Sequence, residues 1–114
     1  MSTITADFTT LSNIPKLHVS GMNWLIFHHR FEIAVKSKGI WGHFDGSDPT
    51  PPGPQQGDDA ATAVAARAEV VEWQKKEKKA CHYLVQKLED STLTELLRCP
   101  TVEWMWNVLT EKFT

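Results

Sequence analysis

One helical segment with large apolar residues on two sides constrains the fold of this chain more than any other feature. It covers residues 23–38, with Asn23 at its start and Gly39 directly after it, a residue type that commonly follows a helix C-terminus. At about 100° per residue, one face carries four large side chains: Trp24, Phe27, Phe31 and Val35. Ile26 and Ile33 fall on nearly the opposite side. We therefore predict a central helix between its own core and a second layer or a partner.

The composition indicates one folded domain. The chain has 114 residues, of which 41% are hydrophobic and 10% aromatic, so disorder throughout is excluded. The net charge of -2 argues against a nucleic-acid binder that depends on a bulk basic field. No apolar segment approaches the roughly 20 residues of a membrane span, and no secretory signal is visible. Cys81 and Cys99 form no disulfide framework and no CxxC pair, so we expect an intracellular protein with reduced thiols.

Three segments outside the central helix are predicted to be irregular. Residues 1–13 are rich in Ser and Thr and are predicted to be a flexible lead-in, with Phe8 and Leu11 close enough to touch the core. Residues 14–19 are predicted to be extended, because a proline disfavours helix at the residue before it. Residues 47–59, with the sequence SDPTPPGPQQGDD, contain four prolines and two glycines. This composition predicts an exposed loop.

A compact turn is predicted between the central helix and this loop. The sequence WGHFDG follows Gly39 closely and places Trp41 and Phe44 between glycines. Gly42 and Gly46 can adopt backbone angles that other residues avoid, which permits a tight turn. We expect the two aromatic side chains to fold back onto the central helix.

A second long helix is predicted to begin near residue 59 or 62 and to end near residue 88. Its apolar stripe has helical spacing and contains one acidic residue: Ala66, Val70, Trp73, Glu77, Cys81, Leu84 and Leu88. The lysine-rich centre of this helix is predicted to face water. A short helix carrying Leu93, Leu96 and Leu97 follows and is broken by Pro100.

The last helix is predicted to begin after Thr101, a favourable N-cap residue. One stripe on it consists of Val102, Met105, Trp106, Leu109 and Phe113. Trp104 and Val108 point elsewhere. Because Thr114 follows the stripe at once, we expect the chain to continue in a longer protein or to need a partner there. The pattern predicts an all-α class, with residues 14–114 forming a single lobe, a bundle of about four to five helices.

Three blocks occur in order along the chain: IPKL with GMNWLIFHHRF, then GIWGHFDG, then TVEWMWNVLTEKF. Together they resemble the N-terminal Gag region of copia-type LTR retrotransposons. The turn of that family is matched over residues 39–46, and a helix with Trp73 follows. The other matching positions are Asn23, Trp24, Phe27, Trp106, Leu109 and Phe113. Trp104 and Met105 replace the acidic and small residues that are more usual in the family.

The resemblance implies a fold like the N-terminal lobe of a retroviral capsid, and a protein that self-assembles into virus-like particles in the cytoplasm. It implies partners as well: further copies of the chain, and the rest of Gag with its second helical lobe. RNA would be reached only indirectly, because the zinc-knuckle pattern of Gag cannot be made from Cys81 and Cys99. No membrane partner and no cofactor are implied.

The aromatic, histidine, cysteine and lysine residues are the candidates for chemical roles in this chain. The aromatic set could line a ligand pocket, but its spacing favours a core: Trp24, Phe27, Phe31, Trp41, Phe44, Trp73 and Trp106. His28 and His29 point about 100° apart on a helix and cannot share one metal ion simply, and neighbouring Cys81 and His82 diverge likewise. The lysines near residue 77 are interrupted by glutamates and are typical of a solvated face. The sequence therefore predicts neither a metal site nor an enzyme.

Four apolar residues remain after the predicted core is filled: Ile26, Ile33, Trp104 and Val108. Apolar residues without an internal position mark association surfaces. The sequence therefore favours a structural protein that self-associates through these helix faces. The alternative is a host-adopted interaction module that binds a partner helix or peptide in an aromatic groove.

Overall fold

The computed structural model describes residues 11–114, and the regular elements in this range are helical. A 3-10 turn, Leu11–Asn13, precedes the helices, which we label in chain order: α1 Trp24–Ser37, α2 Gly42–Asp45, α3 Ala60–Val85, α4 Asp90–Leu96 and α5 Val102–Phe113. Within the described range the predicted all-α class is confirmed, with five α-helices in a small bundle. Most of the predicted lead-in, residues 1–10, lies outside the described part of the chain. Leu11 is buried, so the lead-in reaches the core at its last residues.

The inner face of α1 forms the centre of the core, as its periodicity predicts. Trp24, Phe27, Ala34 and Val35 are buried there with Phe31, which is fully buried. The Phe31 ring lies 5.3–5.5 Å from three other rings: Phe27, Phe44 and Trp106. Aromatic rings at such distances attract each other beyond the simple burial of their area. This cluster joins α1 to α2 and α5.

Asn23 precedes α1 but does not cap it with its side chain. Its Oδ1 instead accepts a hydrogen bond from the His18 backbone N–H at 2.8 Å. Its Nδ2 donates to the Lys16 carbonyl at 3.0 Å. Asn23 therefore occupies the N-cap position without capping the helix, because its amide spans the preceding turn and fixes the path of the chain into α1. At the other end Gly39 has a φ of 75°, as expected after a helix C-terminus.

The predicted compact turn exists and contains the single-turn helix α2. Trp41 and Phe44 stack on each other with ring centroids 5.4 Å apart, and both rings meet Trp106. Gly46 ends the helix with a φ of 84°, a backbone conformation that an L side chain rarely adopts.

Helix α3 ends earlier than its sequence pattern predicts. It stops at Val85, and Leu88 leaves the helix to form an isolated parallel bridge with Leu17. The Leu17 N–H donates to the Lys87 carbonyl at 2.8 Å, so residues 14–19 gain a backbone partner. The helix was predicted to extend too far, because Leu88 is buried although it lies beyond the helix end, at the bridge with Leu17.

The loop of residues 47–59 lies along α3 and is not exposed throughout. The Trp73 indole N–H donates to the Asp48 carbonyl at 2.7 Å, and Gly53 is buried close to Val70. The loop ends at Asp59, whose side chain accepts a hydrogen bond from the Thr62 N–H and caps α3.

Helix α4 is a short helix of seven residues, as expected, and α5 begins as expected. Leu96 is buried and Leu93 is partly buried against the core, but Leu97 is exposed. Thr101 caps α5 by accepting a hydrogen bond from the Trp104 N–H at 3.2 Å. The predicted α5 stripe faces the core, with Phe113 only partly buried.

Replacing Leu109 with alanine is expected to lower the free energy of unfolding by about 2–5 kcal/mol, because Leu109 is fully buried in the core. The matched substitution Leu97→Ala, at an exposed position, should change it by about 0.5 kcal/mol or less. Urea denaturation followed by circular dichroism measures both. Equal losses in the two variants would contradict the described core.

Replacing Asp59 with alanine is expected to destabilise α3 at neutral pH, because its hydrogen bond with Thr62 lowers the pKa of Asp59 below its ordinary value of 3.8. A lowered pKa means that the stabilisation is complete above 3.8 and is lost as the pH falls through the folded-state value. The thermal midpoint difference from wild type should therefore vanish in strong acid. Asp59→Asn keeps an acceptor oxygen and should show no such pH dependence; a pH-independent effect of Asp59→Ala would argue against capping by the carboxylate.

Candidate functional site

The outer face of α1 carries large apolar side chains that no other described residue covers. Met22 is 79% and Leu25 is 81% exposed, while Ile26 and Ile33 are 49% and 47% exposed. At 100° per residue Leu25, Ile26 and Ile33 lie within about 60° of one direction, opposite the buried face with Phe31, and Met22 lies in the turn just before the helix. Ile26 and Ile33 were predicted from the sequence to be exposed on this face, but Met22 and Leu25 were not. The spacing of eight residues between Leu25 and Ile33, about two helical turns, was the available signal.

An uncompensated positive charge lies beside this face. Arg30 is exposed near Ile26 and Ile33 and forms no ion pair within residues 11–114. Lys36 is compensated, because its ammonium group lies 2.6 Å from the Glu32 carboxylate. The face therefore combines an apolar centre with uncompensated positive charge.

The outer face of α5 is the second surface of this kind. Trp104 is 52% exposed and borders a shallow, open hollow, lined by Thr101, Glu103, Trp104, Asn107, Val108 and Glu111. Within the described residues, Glu103 and Glu111 form no ion pair. Val108 is half-buried and packs partly against the core, so it offers less to a partner than its helical position predicts. The face thus has an apolar centre at Trp104 with acidic residues beside it.

The two faces point away from each other. Helices α1 and α5 pack through their inner sides, where Trp106 lies 5.5 Å from Trp24 and 5.3 Å from Phe31. Because a residue half a helical turn away from the contact points to the opposite side, Ile33 and Trp104 lie on opposite surfaces of this helix pair.

A buried polar cluster connects α2, α3 and α5 behind these faces. The Glu77 Oε1 lies 2.9 Å from Nδ1 of His43, whose side chain is fully buried. The other oxygen, Oε2, accepts a hydrogen bond from the Val102 N–H at 2.9 Å. Since an ionised carboxylate only accepts hydrogen bonds, Nδ1 carries a proton in this arrangement. One carboxylate thereby fixes both the His43 ring and the first turn of α5.

The second nitrogen of His43 has a weaker environment. Nε2 lies 3.4 Å from Oδ2 of Asp48 but forms no aligned hydrogen bond. The His43 ring also stacks on Trp73 with centroids 4.8 Å apart. The sequence pattern placed His43 in the WGHFDG turn and Glu77 in the apolar stripe of α3 without giving either a partner. The structure provides that partner.

The positions that carry the family resemblance lie in the interior or at backbone turns. Trp24, Phe27, Phe31, Phe44, Trp106 and Leu109 are buried, and Phe113 packs on Trp24 with centroids 5.7 Å apart. Trp41 is partly buried in the same cluster. Trp73 lies apart from it, between His43 and the loop. Because most of these rings fill one another's space, they do not line an open aromatic groove.

The glycines of the resemblance act through backbone geometry and close packing. A side chain at Gly42 would begin 2.7 Å from Cβ of Asp48, so the loop passes too close for one. At Gly46 it would begin 2.5 Å from the Glu103 carboxylate. Gly39 has free space around it and is required only for its positive φ.

The remaining chemically reactive groups do not converge. Within residues 11–114, no three His, Cys, Asp or Glu side chains are placed to hold a metal ion. Burial, and secondarily the charge of Glu77, raises the pKa of the Cys81 thiol, which makes it a poor nucleophile. Every described helix is too short or too polar to cross a lipid bilayer.

Comparisons of this chain with protein-family models, with curated proteins and with solved structures give no match.

Replacing Glu77 with glutamine is expected to lower the free energy of unfolding by about 1–3 kcal/mol. Glutamine has one acceptor oxygen, so if that oxygen keeps the Val102 N–H, its amide N–H₂ faces Nδ1 of His43, and the ring has to move its proton to Nε2 and loses the hydrogen bond to a carboxylate. The matched control is Glu72→Gln on the same helix, where an exposed side chain pairs only with Lys75. That control should change stability by about 0.5 kcal/mol or less. Urea denaturation at pH 7 compares them, and equal effects would show that the Glu77 contacts contribute nothing.

Proposed function

We propose that this chain is a structural protein that self-associates through apolar helix faces, and that it is the N-terminal capsid-type lobe of a copia-type Gag. The observation that supports self-association is the uncovered outer face of α1, where Leu25, Ile26 and Ile33 are exposed, with Met22 exposed directly before the helix. Trp104 on α5 provides a second uncovered face. Contiguous exposed apolar side chains of this size are typical of interaction surfaces.

The expected strength of one such contact is low. Full burial of a side chain such as Ile or Leu stabilises by about 1.5–3 kcal/mol, but these residues are already partly covered in the single chain. Association also costs several kcal/mol in lost rotational and translational freedom. A few side chains per face therefore give a weak pairwise contact. Many such contacts in a closed particle would sum to a stable but reversible shell.

The sequence resemblance supports the proposal that the chain is the N-terminal lobe of a copia-type Gag. Its matching positions occur in three separated blocks, and in this structure they form the α1 core face, the α2 turn and the inner stripe of α5. They are the residues that hold the scaffold together. The exposed positions, Ile26, Ile33 and Trp104, lie outside the inner contacts and would determine how the scaffold assembles.

The proposal assigns the partners accordingly. The first partner is another copy of the same chain, and the second is the rest of Gag with its second helical lobe. RNA would be bound by a different part of Gag, and assembly into virus-like particles would occur in the cytoplasm.

A peptide-binding module with an aromatic groove is the less favoured candidate. That function requires aromatic side chains that are open to a partner, whereas Phe27, Phe31 and Phe44 are almost completely buried.

Purified protein is expected to form dimers or larger species whose fraction grows with concentration. Light scattering after size-exclusion chromatography, over a concentration series at low and high salt, measures this. Apolar contacts should persist at high salt, because salt screens charges and does not weaken apolar burial. A strict monomer at the highest concentrations would contradict self-association by this lobe.

Replacing Ile33 or Trp104 with lysine is expected to weaken association and leave the helical circular dichroism spectrum unchanged, because both side chains are about half exposed in the single chain. Val64→Lys is the matched control, since Val64 is an exposed apolar residue on α3, away from both faces. If both face variants associate as wild type does, neither face is the contact.

A further inference from the structure

We propose that copies of this chain associate head to tail, with the outer face of α1 of one copy packed on the outer face of α5 of the next. This inference rests on the proposed self-association and specifies its partner surface. It commits to a second copy of this chain as the occupant of both faces.

Charge complementarity is the first observation that carries the inference. The α1 face has apolar residues flanked by Arg30, and the α5 face has Trp104 flanked by Glu103 and Glu111. Each of these three flanking groups lacks an ion-pair partner inside residues 11–114. A basic apolar face and an acidic apolar face on the same molecule therefore complement each other.

Pairing of identical faces is disfavoured by the same charges. Two α1 faces in contact would bring the Arg30 guanidinium of one copy near that of the other. Two α5 faces would bring four carboxylates together. The other charges near these faces, Glu32 and Lys112, are already paired within the chain, with Lys36 and Glu95 respectively. Like charges that are partly desolvated at an interface oppose association, so the mixed pairing is the favoured one.

The direction of the two faces is the second observation. Because α1 and α5 pack through Trp24, Phe31 and Trp106, their outer faces lie on opposite sides of the molecule. A contact between two different faces on opposite sides leaves one free face at each end of every pair. Such a contact adds further copies until a ring closes or a filament forms. A ring of this kind can serve as one unit of a shell, whereas a two-fold pairing of one face would stop at a dimer.

The first test uses two variants that each block one face. Ile33→Glu blocks the α1 face with a charge that Glu103 and Glu111 repel, and Trp104→Lys blocks the α5 face with a charge that Arg30 repels. Each variant alone is expected to be monomeric. Their mixture is expected to form a dimer of twice the 12.9 kDa chain mass that does not grow with concentration, because only one productive contact remains. Light scattering and sedimentation velocity measure the mass.

Other outcomes distinguish failure of the head-to-tail contact from failure of self-association itself. If wild type associates and the mixture stays monomeric, the head-to-tail contact is wrong and self-association stands. If Trp104→Lys alone forms dimers, identical α1 faces pair; if Ile33→Glu alone does so, identical α5 faces pair. Either result overturns the inference. A monomeric wild type overturns both the inference and the proposed function.

The second test exchanges charges across the contact. Arg30→Glu or Glu111→Lys alone is expected to weaken association about two- to fivefold in Kd, the range of an exposed ion pair. The double variant carrying both substitutions should recover most of this loss at low salt, and the difference should shrink at high salt. Arg67→Glu, on the exposed part of α3, is the control and should leave Kd unchanged. Absence of recovery in the double variant would overturn the mixed pairing.

A third test compares a negative with a positive substitution at Ile33. In a head-to-tail contact Ile33→Glu should weaken association more than Ile33→Lys, because the opposing α5 face is acidic. In a contact between two α1 faces the order is reversed, because the added lysine would face Arg30. A general loss of folding would affect both variants alike, and circular dichroism excludes it.

Discussion

The packing of Trp106 against α1 and α2 is the interaction on which the rest of the structure depends. Its indole contacts the rings of Trp24, Phe31, Trp41 and Phe44, all at centroid distances below 6 Å. No other described residue joins three helices through so many ring contacts. Because these contacts use the inner sides of α1 and α5, they also decide which sides remain outside. The core and the candidate association faces are therefore two consequences of one contact.

Glu77 supplements this apolar contact with a directional one. An ionised group in a mostly apolar stripe is costly unless its oxygens are satisfied, and both are, by His43 and by the Val102 N–H. Apolar packing alone would allow α5 to slide or rotate. The hydrogen bond from the Val102 N–H to the Glu77 carboxylate forms only when the first turn of α5 lies in one position. Trp104 follows Val102 by two residues, so the same carboxylate fixes where the exposed indole stands. The buried polar cluster in this way contributes to the precision of an outer surface that it does not touch.

Local sequence patterns predicted the helices well, because each depends on residues close together in the chain. The buried face of α1, the start of α3 near residue 59, the cap at Thr101 and the turn at Gly39 all follow from spacing and residue type. What the patterns missed are contacts between distant segments. Leu88 has helical spacing with Leu84, yet its burial comes from Leu17.

The same reason explains the unpredicted parts of the candidate site. Asn23 is a favourable cap by type, but its amide bonds backward to residues 16 and 18 instead. The partner of His43 lies 34 residues away on α3, and no local period encodes it. Glu77 was a visible signal, since an acid in an apolar stripe implies a buried partner, although the stripe does not say which. Met22 was missed because it precedes α1, and Leu25 because it lies in the first turn, where a helical face is hardest to assign.

Within residues 11–114 no element is left to cover the outer faces. The part of α3 before Trp73 is mostly exposed and lies beside the 47–59 loop. Helix α4 has seven residues and places Leu96 in the core, which uses its apolar side. The described part of the chain therefore leaves both α1 and α5 partly uncovered. For the stability of the monomer alone, polar residues at positions 25, 26 and 33 would be the simplest remedy, since exposed helix positions tolerate them at little cost. Large apolar side chains on one exposed face, beside an unpaired charge, are more economically explained by a partner that covers them than by the needs of the isolated fold.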